Sequence, residues 1–164
     1  IDTSMSTSGA LVRRCLEITY SILRSTETFT RKVNIRIIQC DDQVRSDQVI
    51  RDLSELKEYM KRFELSGGSA TDFRPVFRHV AELMEQGAFA HLRGLLYFTD
   101  GMGIYPKKRP PYEVAFVMPG EPACAVEVPS WAIRLDLTEP ELEDAANQSG
   151  WEPGESALAE LPEL

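Results

Sequence analysis

Apolar residues recur at three- and four-residue spacing through Leu11, Val12, Cys15, Leu16, Thr19, Ile22 and Leu23, so the segment from Ser8 to Arg24 reads as an amphipathic helix. Arg13, Arg14, Glu17 and Arg24 fall on its polar side. The period changes to two in Val33 to Cys40, where Val33, Ile35 and Ile37 alternate with Asn34 and Arg36, which predicts a strand. Asp41-Asp42 turns the chain, and Val44 to Ile50 reads as a short further strand. A helix follows from about Asp52 to Arg62, with Asp52 as N-cap and Leu53, Leu56, Met60 and Phe63 on one face. After the Ser66-Gly67-Gly68-Ser69-Ala70 break, Thr71 or Asp72 is placed to cap a third helix. Its apolar face is Phe73, Val76, Phe77, Val80, Leu83 and Met84, with Pro75 tolerated in the first turn and Gly87 as the stop.

Arg93 to Thr99 is a nearly continuous apolar run, the pattern of a parallel strand buried on both faces. Val114 to Met118 predicts another buried strand, and Ala132 to Leu137 a last one in which Ile133, Leu135 and Leu137 alternate. Strands alternating with helices indicate an α/β, Rossmann-like fold with a mainly parallel sheet flanked by helices and right-handed crossovers. The pattern fails after Leu137. Residues 1–137 therefore read as one domain, and residues 138–164 as a mobile acidic tail, with Trp151 and the Leu158/Leu161 pair as the points that would dock if it is ordered.

Composition narrows the function classes. Of 164 residues, 43% are hydrophobic, enough for a single core without disulfide support. The net charge of -8 comes from the tail, where eight acidic residues from Glu139 to Glu163 meet no Lys or Arg. The body is thus neutral and has no basic footprint for nucleic acid, and Lys107-Lys108-Arg109 reads as a solvated loop. There is no run of eighteen apolar residues to span a membrane. Cys15, Cys40 and Cys124 are widely spaced and odd in number, which points to buried free thiols in a reducing, cytoplasmic compartment. His79 and His91 are the only histidines and no H-E-x-x-H occurs, so a zinc peptidase centre is absent from this chain and both histidines read as structural or exposed. No Ser-His-Asp or Cys-His arrangement stands out.

What remains is an oxygen-rich set. Asp2, Ser4 and Ser6 alternate, and an extended segment aims such positions at one point. Asp100-Gly101 lies at the carboxyl end of a buried strand and Thr71 in a Gly-rich loop at a helix start, so three loops can meet where ligands collect in parallel α/β sheets. Singly, each piece has an ordinary explanation: Thr71 as a helix cap, Asp100-Gly101 as a turn, Asp2-x-Ser4-x-Ser6 as chance. Asp72 is either an acceptor for a ligand hydroxyl or a first-turn carboxylate favoured by the helix dipole. Oxygen-only donors suit a hard cation, Mg²⁺ first and Mn²⁺ or Ca²⁺ as substitutes. If Ser4, Ser6 and Thr71 contact the ion through neutral hydroxyls while Asp2 and Asp100 hold its waters, the cation stays largely unneutralised and attracts an outside carboxylate.

Asp2-Thr3-Ser4-Met5-Ser6, Thr71 and Asp100, in that order, resemble the metal-ion-dependent adhesion site of von Willebrand factor type A (VWA) domains, with its D-x-S-x-S, Thr and Asp. More narrowly, residues 67 to 77 (GGSATDFRPVF) and 97 to 103 (YFTDGMG) resemble the VWA-like carboxyl-terminal domain of a bacterial family of predicted metal-dependent peptidases (DUF2201-like), here with Ser69-Ala70 where that family carries more glycine. The resemblance covers residues 1 to about 137. It implies a central strand leading into Asp2. Because the chain starts at Ile1 with its motif already under way, that strand is expected upstream, or its place filled by something else.

The expectation is a non-enzymatic, metal-dependent protein-binding module whose ion, at Asp2, Ser4, Ser6, Thr71 and Asp100, takes a Glu or Asp from a partner. The resemblance implies a MoxR-type AAA+ ATPase as a candidate partner. The rival expectations are a Mg²⁺-dependent hydrolase or phosphatase with Asp2 as nucleophile, and a regulatory domain of a metallopeptidase whose catalytic part lies upstream.

Overall fold

Period-two patterning decides which side of a sheet each strand residue faces, and here it divides the core into layers. The computed structural model describes residues 1–4, 14–21, 35–64, 66–119 and 126–138. A helix, α1, covers residues 14–21. Then come β1 (Ile35–Cys40), β2 (Val44–Ile50), α2 (Leu53–Lys61), α3 (Arg74–Glu85), β3 (Gly94–Phe98), β4 (Glu113–Pro119) and β5 (Ile133–Leu137). Leu16 and Tyr20 of α1 pack with Ile37, Ile50 and α2 residues Leu56 and Met60. Cys15 and Ile18 reach Phe98 and Val117. On the opposite face, Val76, Phe77 and Val80 of α3 pack with Tyr97, Val114 and Phe116. Neighbouring residues thus face opposite layers, as in Ile37 against Ile38 or Tyr97 against Phe98.

β3, β4 and β5 form a parallel sheet in that order. β1 and β2 instead form an antiparallel hairpin, pairing Ile35 with Ile50 and Cys40 with Val44 across the tight Asp41-Asp42 turn. Residues 1–3 join the two sheets. Asp2 bridges Cys40 in parallel, Thr3 donates its N–H to the Cys40 carbonyl, the Cys40 N–H goes to Ile1, and the Asp2 N–H goes to Phe98 on the other side.

Those residues occupy only the carboxyl end of the place between β1 and β3. Toward the amino end the two strands face each other across an apolar cavity of about 270 Å³, whose walls include Ile1, Leu16, Ile37, Val76, Val80 and Leu95. The Ile1 nitrogen donates to the Ile38 carbonyl at 2.8 Å. The cavity explains why β3 is not buried throughout: Tyr97 and Phe98 are inside, while Leu96 is 49% exposed. β5 also departs from the expected inward alternation: it is the edge strand among the described residues, and Ile133 and Leu135 are exposed there.

The helix ends follow local chemistry. Asp52 caps α2 by accepting from the N–H groups of Ser54 and Glu55. At α3 the N-cap position is Phe73, not Thr71 or Asp72, and no side chain caps it directly. Phe73 is drawn inward, fully buried in edge-on contact with Tyr97 and Tyr105. Asp72 still serves the helix start by accepting the Arg74 N–H at 2.9 Å. His79 is half-buried with Nε2 2.7 Å from the Asp47 carboxylate, which also pairs with Arg36, so this histidine ties α3 to the hairpin. His91 is exposed. Cys15 and Cys40 are buried free thiols, pushed up by burial to about 12 and about 11 respectively. Cys124 and the 139–164 segment lie outside the described residues.

Candidate metal centre

Asp2 has no exposed surface, and a bare carboxylate there would be costly without donors. Its Oδ1 accepts the Ser4 N–H at 2.9 Å, and its Oδ2 accepts the Thr99 hydroxyl at 2.5 Å. The Thr99 oxygen is itself held by the Gly101 N–H at 3.0 Å. Each Asp2 oxygen therefore accepts from the protein, which fixes the carboxylate and suits it to orienting neighbours or waters. Burial raises its pKa, the Thr99 and Ser4 hydrogen bonds oppose that, and the nearby Asp100 charge adds to the rise. A second carboxylate near enough to add to that rise is the kind of negative charge that a cation would offset.

Asp100 sits at the carboxyl end of β3 and is half-buried. Its Oδ1 accepts the Met102 N–H at 2.9 Å, which fixes the carboxylate at the turn and leaves Oδ2 without a protein donor among the described residues. Gly101 makes that turn with φ +84°, where a side chain is disfavoured. Ser4 is 2% exposed and adjoins the Asp2 carboxylate.

Thr71 is half-buried, and its hydroxyl has no hydrogen-bond partner among the described residues. Its loop is wedged between the other two. A Cβ on Gly67 would come 2.3 Å from Thr3 Oγ1, and one on Gly103 would come 2.7 Å from Thr71 Cγ2. Both glycines are there because the loops approach too closely for a side chain. Backbone bonds complete the triangle: Gly68 N–H to Thr3 at 2.8 Å, and Phe73 N–H to Ile104 at 3.1 Å. Of the five residues singled out by sequence, Asp2, Ser4, Thr71 and Asp100 stand on these three interlocked loops, while Ser6 lies outside the described residues.

Asp72 belongs to Arg74, whose Nε and Nη2 bond its carboxylate at 2.7 to 3.1 Å. That pair holds the Asp72 pKa down and gives it the first-turn role, not that of an acceptor for a ligand hydroxyl. Thr99 was not among the sequence candidates. A hydroxyl ending an apolar strand directly before Asp100 is the signal that finds it.

Among the described residues no group of three or more His, Cys, Asp and Glu side chains gathers as a metal site. The donors here are two Asp carboxylates with Ser and Thr hydroxyls, a set that fits a hard divalent cation keeping part of its water shell and does not fit Zn²⁺ held by nitrogen or sulfur.

A family model described as a VWA-like domain (DUF2201) matches residues 1–138. No curated protein matches the chain.

Proposed function

Since the chain belongs to the family of VWA-like domains (DUF2201), we propose that it is a divalent-metal-dependent protein-binding module that takes a Glu or Asp carboxylate from a partner. The observation that carries this reading is the division of labour between the carboxylates. Each Asp2 oxygen accepts a hydrogen bond, from Ser4 or from Thr99, whereas Asp100 is fixed through Oδ1 and its Oδ2 has no protein donor among the described residues.

Ser4, Thr71 and Ser6 would hold Mg²⁺, or Mn²⁺ or Ca²⁺ in its place, with Asp2 and Asp100 orienting its waters. When bound, the ion supplies an unfilled positive position for an incoming carboxylate. The chain's own work is positional. Thr99 and the Ser4 N–H favour the ionised form of Asp2 against the effect of burial and hold it in place, Gly101 and Met102 present Asp100, and Gly67 lets the Thr71 loop close on Thr3. The module reading also fits the burial of Asp2, since a nucleophilic carboxylate for a phosphatase would need an accessible oxygen and Asp2 has none.

A MoxR-type AAA+ ATPase, in a bacterial cytoplasm, is the partner class that the family resemblance suggests. Calorimetric titration with Mg²⁺ tests the site: the parent protein should give a saturable heat that Asp100→Ala abolishes, and equal heats from both would remove the proposal.

A further inference from the structure

Asp41 is a carboxylate with no exposed surface, one residue beyond the end of β1, that the metal-binding reading leaves unused. Its Oδ1 accepts from the Gln43 N–H at 3.1 Å and from Arg45 Nε at 2.8 Å. Its Oδ2 accepts the Ser69 N–H at 3.2 Å, and its main-chain carbonyl accepts the Asp72 N–H at 3.1 Å. Ala70 and Thr71 are therefore strung between two anchors that both lie on Asp41. Next to it, Asp42 Oδ2 accepts the Ser69 hydroxyl at 3.0 Å, a bond that a glycine at position 69 would lack.

The preceding residue completes the arrangement. Cys40 exchanges backbone hydrogen bonds with Ile1 and Thr3, the segment that carries Asp2 and Ser4. The step from Cys40 to Asp41 thus holds the N-terminal donors with one residue and the Thr71 loop with the next.

We propose that Asp41, assisted by the Asp42–Ser69 bond, is a positioning residue that sets where the Thr71 hydroxyl stands relative to Asp2, Ser4 and Asp100. The assignment rests on the metal-binding reading, and Asp41 acts through the loop, since its own oxygens are engaged. A carboxylate is required because three N–H donors converge on it; an Asn offers one acceptor oxygen and turns an NH₂ toward donors already present.

The test uses the full chain and four variants: Asp41→Asn, Arg45→Ala, Ser69→Gly and Asp100→Ala. Calorimetry with Mg²⁺ alone reads affinity, and amide hydrogen exchange at Ser69 in metal-free protein reads the latch. Asp41→Asn should speed exchange at Ser69 and weaken Mg²⁺ binding about tenfold, as loss of an outer partner of a ligand does. Ser69→Gly should weaken binding less. Arg45→Ala removes the charge partner while leaving the Ser69 bond, so it controls for general destabilisation and should retain the parent affinity. Parent-like affinity in Asp41→Asn, or equal weakening in Arg45→Ala, overturns the positioning role. If the parent chain shows no Mg²⁺ heat, the metal reading fails separately; unchanged exchange at Ser69 in Asp41→Asn then overturns the latch on its own terms.

Discussion

The two ends of the gap between β1 and β3 are built in opposite ways. At the carboxyl end, Asp2, Thr3, Ser4, Asp41 and Thr99 are buried polar residues, and backbone or side-chain hydrogen bonds from three loops converge on them. At the amino end the same two strands border an apolar cavity, with Ile1 among its walls. Polar groups out of water are tolerated only when bonded, and apolar walls gain most when they touch one another. The carboxyl end is therefore held by a dense set of hydrogen bonds, with the buried Thr3 hydroxyl left without a partner among the described residues, and the amino end is the weaker part of the sheet because its strand edges and walls lack a neighbour among the described residues.

The largest test of this contrast is Thr99→Val. It removes the donor to Asp2 Oδ2 and leaves a buried charged oxygen unmet, so unfolding free energy should drop by about 3 kcal/mol in urea titration. A loss of less than about 1 kcal/mol would place the Asp2 charge outside the hydrogen-bonded core.

Gly67→Ala is next. The new methyl meets Thr3 Oγ1 at 2.3 Å, so the loop must shift, costing about 1–2 kcal/mol and displacing Thr71. Weakened Mg²⁺ binding should accompany the loss of stability, and full affinity would show that Thr71 is positioned by something else. The smallest effect is acid sensitivity. Burial alone would raise Asp41, but Arg45 and the Gln43 and Ser69 N–H groups bring it down to about 2. Asp47 is held down too, by Arg36 and His79 against the effect of burial. Groups with depressed pKa contribute stability that is complete above about pH 4 and is lost as pH falls toward 2, whereas Asp2, raised by burial, works in the opposite direction. Urea midpoints measured down that range should decline in the parent and decline less in Asp41→Asn.

The same contrast explains what the sequence could disclose. The limits of β2 and the Asp52 cap were legible because alternation and capping are local rules. So were the apolar face of α3 and the loop positions of Asp2, Ser4, Thr71 and Asp100. The incomplete burial of β3 and the outward Ile133 and Leu135 were not, since an apolar run reports the side chains' preference and not whether a neighbour is there to cover them. The α3 cap was misplaced because Phe73 is pulled into an aromatic cluster that no local rule records. The hydrogen-bonding roles of Thr99 and Asp41 were not legible for a related reason: each acts across the chain, with partners 97 and 28 residues away.

One measurement bears on the central claim most directly. Mn²⁺ added to the parent chain and followed by electron paramagnetic resonance should lose its free-ion signal to a single saturable site, and Asp100→Ala should leave that signal intact. Mn²⁺ remaining free in the parent protein, or binding equally to both, would contradict a metal centre at Asp2, Ser4, Thr71 and Asp100.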